Sequence, residues 1–170
     1  FSPTYSSTNE PFTDIEIPGN IFAVHYDIGN QGVSYYDTEY KQVSSDDNQN
    51  VWNRGWSFRN DGVDIEECSD PAVDYNVGWI ETGEWLEYTV QVTQTGTYNV
   101  RARVASNGSG RMGIKVNNKP IESDQDIPKT GGYQSWAQVN FGNGSVTQGE
   151  ALIRVEILEG DFNFSMITIE

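Results

Sequence analysis

The sequence predicts an all-β protein, a two-sheet antiparallel β-sandwich of the jelly-roll type, on three observations. Val, Ile, Thr, Tyr and Trp recur in short runs among 17 Gly, a composition that favours strands and turns over helices. Several runs alternate apolar and polar residues with period 2, the mark of a half-buried strand. Turn signals separate them at spacings of about 8 to 12 residues, with no sustained helical stripe in any window.

A chain of 170 residues is long enough for one full core and little more. The expected organisation is a linker or tail over 1–14 and one module over 15–170. The opening residues are rich in Ser, Thr and Pro and show neither period. Residues 15–26, IEIPGNIFAVHY, carry a Pro-Gly turn and then apolar residues at nearly every position, which predicts a strand covered on both faces. A second, shorter strand is expected within 32–40. The polar stretch 42–60, with Trp52, Trp56 and Phe58 among Asp and Asn, predicts a long loop.

The alternation is cleanest in 84–92, where Leu86, Tyr88, Val90 and Val92 fall on one face and Trp85, Glu87, Thr89 and Gln91 on the other. After a turn at 93–96, Tyr98, Val100, Ala102 and Val104 repeat it with Arg101 and Arg103 outward. The two runs read as a hairpin in which Glu87 pairs with Arg101 or Arg103. Further strands are expected at 112–116, 135–141, 151–158 and 164–169.

With 10 basic against 25 acidic residues the net charge is −15. That charge repels phosphate backbones and anionic lipid, so neither nucleic acid nor a membrane surface is an expected partner. No apolar run approaches the ~20 residues that span a bilayer, and no basic region followed by an apolar block opens the chain. Any secretion signal is expected to lie outside it. The single cysteine, Cys68, cannot form an internal disulfide, and the single histidine, His25, lies far upstream. Cys68 reads as a small buried or half-buried residue rather than a nucleophile.

Three loops set aromatics beside polar groups where the alternation breaks: Asp74-Tyr75-Asn76, TGGYQSW at 130–136, and Gly160-Asp161-Phe162-Asn163. The loops of an antiparallel sandwich gather at its two ends, so all three can meet in one patch. Flat rings take up the apolar face of a sugar, while Asn, Asp or Glu bond its hydroxyls. The rings of Tyr75, Tyr133 and Trp136 serve equally well as plugs for the ends of the core, and spacing does not choose between the two roles.

The strings DGVDIE (61–66), YNVGWIETGEWLEYTV (75–90), GTYNVRARVAS (96–106), TGGYQSW (130–136) and FNFSMI (162–167) closely resemble the family 6 carbohydrate-binding modules. These are non-catalytic β-sandwich domains appended to secreted glycoside hydrolases. The resemblance runs from about Ile17 to the C-terminus, leaving out the N-terminal tail and the 42–60 loop. It implies a principal sugar site in loops at one end of the sandwich, flanked by two aromatics and completed by an asparagine. Tyr75 matches the tyrosine of the YNVG motif and Asn163 the asparagine of the FN motif. Tyr133 stands at the tryptophan position of the TGGW-type loop, with Trp136, on the opposite strand face, as the second choice. Asp74 and Glu66 are the implied hydroxyl partners. Some members use a second site on the concave sheet face; Trp85, Glu87, Gln91 and Gln138 are candidates for it, against the alternative of an ordinary solvated face.

In the same family an opening Glu-Ala-Glu strand holds a structural calcium, and calcium needs several hard oxygen ligands. Phe22 and Val24 stand at those carboxylate positions here and their side chains cannot coordinate it, so no cofactor is taken as required, a structural calcium stays as the disfavoured alternative and no metal ligand is assigned. One Cys and one His leave no set for a softer metal.

The expected function is non-catalytic binding of a β-linked polysaccharide. A laminarin-type β-glucan or agarose comes first and xylan next, because the sugar platform is rich in tyrosine and so acidic a chain suits salt water; the acidic surface also suits neutral glycans better than sulfated ones. The expected setting is a secreted or bacterial cell-surface protein, monomeric, whose parent chain carries a glycoside hydrolase that the module targets to its substrate. A free-standing lectin or adhesion domain is the alternative. A glycosidase working through paired carboxylates is disfavoured. Pairs such as Glu66 with Glu67 or Glu81 with Glu84 arise by chance among 25 acidic residues, and no base or nucleophile motif accompanies them.

Overall fold

A computed structural model of the chain describes residues 7–38, 58–59 and 61–170. Trp52 and Trp56 of the predicted loop lie outside the described residues. The first sheet runs β1 (Glu16–Ile17), β6 (Trp85–Val92), β12 (Gly149–Glu159), β8 (Gly110–Val116), β10 (Gln125–Ile127), with β3 (Tyr35–Tyr36) added to β6 and β9 (Lys119–Pro120) to β8. The second runs β11 (Trp136–Val146), β7 (Gly96–Ala105), β13 (Asn163–Ile169), β5 (Tyr75–Val77), β4 (Ile65–Glu67), with β2 (Gly19–Phe22) added to β13. Among the described residues every pairing between these strands is antiparallel except β1 with β6.

The long strands switch sheets as the chain proceeds: β6 in the first, β7 in the second, β8 in the first, then β11, β12 and β13 alternating likewise. Each has one apolar face, and crossing the sandwich lets consecutive faces meet in a common core. Tyr88, Val90 and Val92 of β6 are buried there with Val100, Ala102 and Val104 of β7, Ile153 and Val155 of β12, and Phe164 and Ile167 of β13. The predicted antiparallel β-sandwich is the fold observed.

Three local expectations are corrected. The runs at 84–92 and 98–104 are not a hairpin, because β6 pairs with β12 and β7 with β11 and β13. Period-2 alternation describes two strands facing each other across a core as well as two side by side, so it could not decide. The expected Glu87 partner is accordingly wrong: Glu87 sits directly opposite Arg154 and pairs with it at 2.9 Å, Arg101 pairs with Glu170 and Arg103 with Asp70. The apolar run at 15–26 is not one strand. It gives β1 to the first sheet and β2 to the second, then closes in a 3-10 turn at Ala23–His25. The described part of the tail is fastened to the sandwich, with Glu10 and Ile28 exchanging amide bonds of 2.9 and 2.7 Å.

Candidate functional site

Antiparallel register sets Glu66 of β4 directly opposite Asn76 of β5, so both side chains leave the same face of the second sheet. Oε1 of Glu66 accepts from Nε2 of Gln134 at 2.7 Å, from Nδ2 of Asn163 at 2.7 Å and from Nδ2 of Asn76 at 3.3 Å. Nδ2 of Asn163 also donates to the carbonyl of Tyr133 at 2.7 Å, and Nε2 of Gln134 to Oδ1 of Asn76 at 3.0 Å. One polar network therefore joins β4, β5, the head of β13 and the 130–136 loop. Gly78 borders it closely: a Cβ there would stand 3.1 Å from Oδ1 of Asn163, a tight approach, and 3.5 Å from Oε1 of Glu66, an ordinary contact.

Backbone bonds hold the loops above this floor. The carbonyl of Ser106 accepts the amides of Thr130, Gly131 and Gly132 at 2.9, 3.2 and 3.3 Å, a wrap that Gly131 allows by taking φ 99°. The Ser106 hydroxyl donates to the Asp161 carbonyl at 3.0 Å. On the other side the Asp161 amide donates to the carbonyl of Ile80 at 2.9 Å and the Gly160 amide to the Thr82 hydroxyl at 3.1 Å. Gly160 runs so close to the neighbouring turn that a Cβ would lie 2.7 Å from Cα of Glu81.

The result is an open cleft of about 1010 Å³. Two large aromatics stand exposed on it, Tyr133 at 42% and Trp79 at 38%. Trp79 holds φ 48°, a left-handed conformation that costs a bulky residue about 1–3 kcal/mol and persists mainly where the site uses it. The Tyr133 hydroxyl donates to Oδ1 of Asp161 at 2.5 Å. That bond, with some burial and the Asp161 charge, raises the tyrosine pKa above its ordinary value. Glu81, Glu159 and Asp161 add carboxylates to the lining, which among the described residues contains no Lys, Arg or His.

Of the residues singled out from sequence, Glu66, Tyr133 and Asn163 line the cleft, and Asp74, Tyr75 and Trp136 do not. Tyr75 shares a strand face with Val77, which is buried in the core, so its ring turns inward and meets Phe58 at 5.2 Å between centroids. Asp74 is exposed just before β5, its carbonyl taken by the Cys68 amide at 2.9 Å. Trp136 opens β11 half-buried, opposite Ala105. The residue missed is Trp79, and the strand pattern did not announce it: alternation sets Trp79 on the same face as Tyr75 and Val77, whereas β5 ends at Val77 and the left-handed backbone of Trp79, φ 48°, leaves its ring 38% exposed.

The second proposed surface does not assemble. Trp85, Glu87 and Gln91 belong to β6 in the first sheet, and Gln138 belongs to β11 in the second. The Arg154 guanidinium lies 3.8 Å from the Trp85 ring centroid and bonds Glu87 and Glu156, so one face of that tryptophan is occupied from within the sheet.

The position of the family's calcium does not suit a metal ion here, because the guanidinium of Arg59 takes the carbonyls around it. Phe22 and Val24 offer no side-chain oxygen, and the carbonyls of Val24, Tyr26 and Asp27 accept from the Arg59 guanidinium, with the Val24 and Asp27 bonds at 3.5 and 3.1 Å. Arg59 is 8% exposed, pairs with Asp61 at 2.8 Å and lies 3.6 Å over the Tyr26 ring centroid. Among the described residues no group of three or more His, Cys, Asp or Glu could hold a metal ion.

Exposed rings over a hydrogen-bonded polar floor, at the end of a β-sandwich, define a carbohydrate-binding module. The chain belongs to the carbohydrate binding module family 6, whose family model matches residues 56–170. It is similar to the module CBM6cm-2 from Cellvibrio mixtus lichenase 5A, solved in complex with cellotriose, at 30% identity, TM-score 0.57, over 64% of this chain and 86% of that one. The C-terminal family 6 module of LamC, a marine laminarinase from Zobellia galactanivorans, is 29% identical at TM-score 0.57 over 63% of this chain and 86% of its own. Among curated proteins, the clotting factor G alpha subunit of Tachypleus tridentatus is 32% identical over 81 residues, which are 46% of this chain and 12% of that protein.

Proposed function

We propose that the protein binds a neutral β-linked polysaccharide, a laminarin-type β-glucan or agarose before xylan, in the cleft between Trp79 and Tyr133. The observation that carries this reading is the pair of exposed rings above the Glu66–Asn163 network. Stacked rings take the apolar faces of a pyranose and the floor takes its hydroxyls. Relatives of similar sequence, one holding cellotriose and one from a laminarinase, support a β-glucan.

The role that follows is targeting: a secreted, monomeric module raises the local concentration of a glycoside hydrolase joined to it in the parent chain. Binding needs no metal, since Arg59 already supplies a cation where the family places calcium. Affinity gels containing laminarin, agarose or xylan test the assignment. Retardation by laminarin or agarose that Trp79→Ala removes is the expected result, and release of reducing sugar by the chain alone would sink it.

A further inference from the structure

The polar groups of the cleft have an unusual sense of direction. Both N–H bonds of the Asn163 amide end on obligate acceptors, a carboxylate oxygen of Glu66 and the carbonyl of Tyr133, each at 2.7 Å. Those partners fix which end of the amide is nitrogen, because an oxygen turned toward them would meet two acceptors. The two N–H bonds of Gln134 are committed likewise, to Glu66 at 2.7 Å and to Oδ1 of Asn76 at 3.0 Å. Tyr133 gives its hydroxyl proton to Asp161 at 2.5 Å, and Ser109 gives its own to Glu159 at 3.2 Å. The lining also includes two donor-bearing side chains, the Trp79 indole and the Thr82 hydroxyl, but what the floor around Glu66 and Asn163 leaves for a ligand is oxygen: Oδ1 of Asn163 and Oε2 of Glu66, on which no donor falls among the described residues, beside the carboxylate of Asp161.

We propose, resting on the sugar-binding reading of this cleft, that it recognises sugar hydroxyls by their protons, accepting neutral glycans whose ring hydroxyls are free to donate and refusing those that present a sulfate, carboxylate or ether oxygen instead. A hydroxyl can donate to an acceptor floor, whereas an acceptor-only substituent leaves two buried lone pairs facing each other, the costly case of an unmade hydrogen bond. The selection is strongest against anionic groups, because carboxylates line the cleft and, among the described residues, no cation does. An agarose chain would present mainly its galactose units to such a floor, since each anhydro unit replaces two hydroxyls by an ether and keeps a single free one, while every unit of an unsubstituted β-glucan qualifies.

The test uses methyl β-laminaribioside and its monodeoxyfluoro derivatives, in which fluorine keeps the size of a hydroxyl and cannot donate, titrated into the full chain and into Trp79→Ala. We expect the parent glycoside to bind, Trp79→Ala to lose it, and fluorination at two or more positions to weaken binding about tenfold each, a change worth about 1.4 kcal/mol. Sulfated laminarin should compete poorly even in about 1 M salt, where the Debye length is about 3 Å and long-range repulsion is gone. If every fluorinated derivative binds within about twofold of the parent while Trp79→Ala still abolishes binding, the proton-reading proposal is overturned and the sugar site stands. If the parent does not bind, or Trp79→Ala leaves its binding unchanged, the sugar reading itself fails and this proposal with it.

Discussion

Trp79 is the side chain on which the proposed binding most depends, since it is exposed, aromatic and held in a strained backbone conformation at the cleft. Aromatic anchors of this kind carry a disproportionate share of binding energy, about 2 kcal/mol or more on truncation. Trp79→Ala is therefore expected to weaken oligosaccharide binding at least about thirtyfold in calorimetry. Tyr133→Phe keeps the ring and loses only the bond to Asp161, so a smaller loss is expected, about three- to tenfold for a bond worth about 1 kcal/mol. Tyr75→Ala is the discriminating control. It should lower stability through the lost Phe58 contact and leave sugar affinity within about twofold; a Tyr75→Ala protein that folds but no longer binds would overturn the placement of the site. The strand pattern contained this result, because a tyrosine two residues before a core valine must share its face. The motif resemblance drew attention to the tyrosine instead.

A second residue-scale prediction concerns pH. His25 is half-buried among the rings of Phe12, Phe22 and Phe58. Burial, and after it the charge of Arg59, lowers the imidazole pKa below 6.5. The folded state thus binds this proton less well than the unfolded state does. Its contribution to stability is complete above the unfolded value and is lost as pH falls through that value toward the lowered folded one. Between about pH 7.5 and about pH 5.5 the wild type should lose more melting temperature than His25→Phe. Parallel curves would remove His25 from the account.

At the scale of elements, the position of the cleft depends on loops that approach one another closely, and two glycines make that approach geometrically possible. Gly160→Ala would bring a methyl group against the backbone of Ile80 and Glu81, which cannot yield as a side-chain tip can. The expected outcome is a folded protein with binding reduced about tenfold or more, as a displaced wall misplaces Asp161 and Tyr133 together. Retained affinity with unchanged chemical shifts around Tyr133 would contradict it. Strand existence was legible at this scale, and strand partnership was not. The alternation in 84–92 and 98–104 is real, yet the chain crosses the sandwich between them, because both layouts bury the same residues. Which charges meet across a pair was illegible for the same reason: Arg154, the true partner of Glu87, lies 67 residues away in sequence.

The turn formed by Ala23–His25 gives an element-scale prediction about the cation. Arg59 reaches it from a distant part of the chain, so no local pattern announced the contact. Removing the guanidinium strands three carbonyls without a donor and leaves the Asp61 carboxylate, 13% exposed, with the Tyr26 hydroxyl but no cation. Breaking a buried pair from one side costs about 3 kcal/mol or more, which for a domain of this size is about 6–12 °C in melting temperature. Arg59→Met should show that loss, and excess EDTA should leave the wild-type transition where it was. A chelator-induced fall of similar size would mean that a metal, not Arg59, holds this turn.

For the whole molecule, the dominant fact is a net charge of −15 from 25 acidic and 10 basic residues. Ion pairs offset part of it locally, as between Lys115 and Glu156 at 2.6 Å and between Arg154 and Glu87 at 2.9 Å. Such partly exposed pairs are worth little each, about 0–1 kcal/mol. The unpaired excess repels itself more in the compact state than in an expanded chain, so folding concentrates like charge. Raising salt from about 0.01 M to about 1 M shortens the Debye length from about 30 Å to about 3 Å. That change should weaken the few attractions less than the many repulsions. Melting temperature is therefore expected to rise with sodium chloride over this range, by several degrees. Affinity for a neutral β-glucan, which neither gains nor loses charge contacts, should stay nearly constant. A melting temperature that falls with salt would show that the paired charges outweigh the excess. A neutral-glycan affinity that falls steeply with salt would show instead that binding depends on charges outside the proposed contacts.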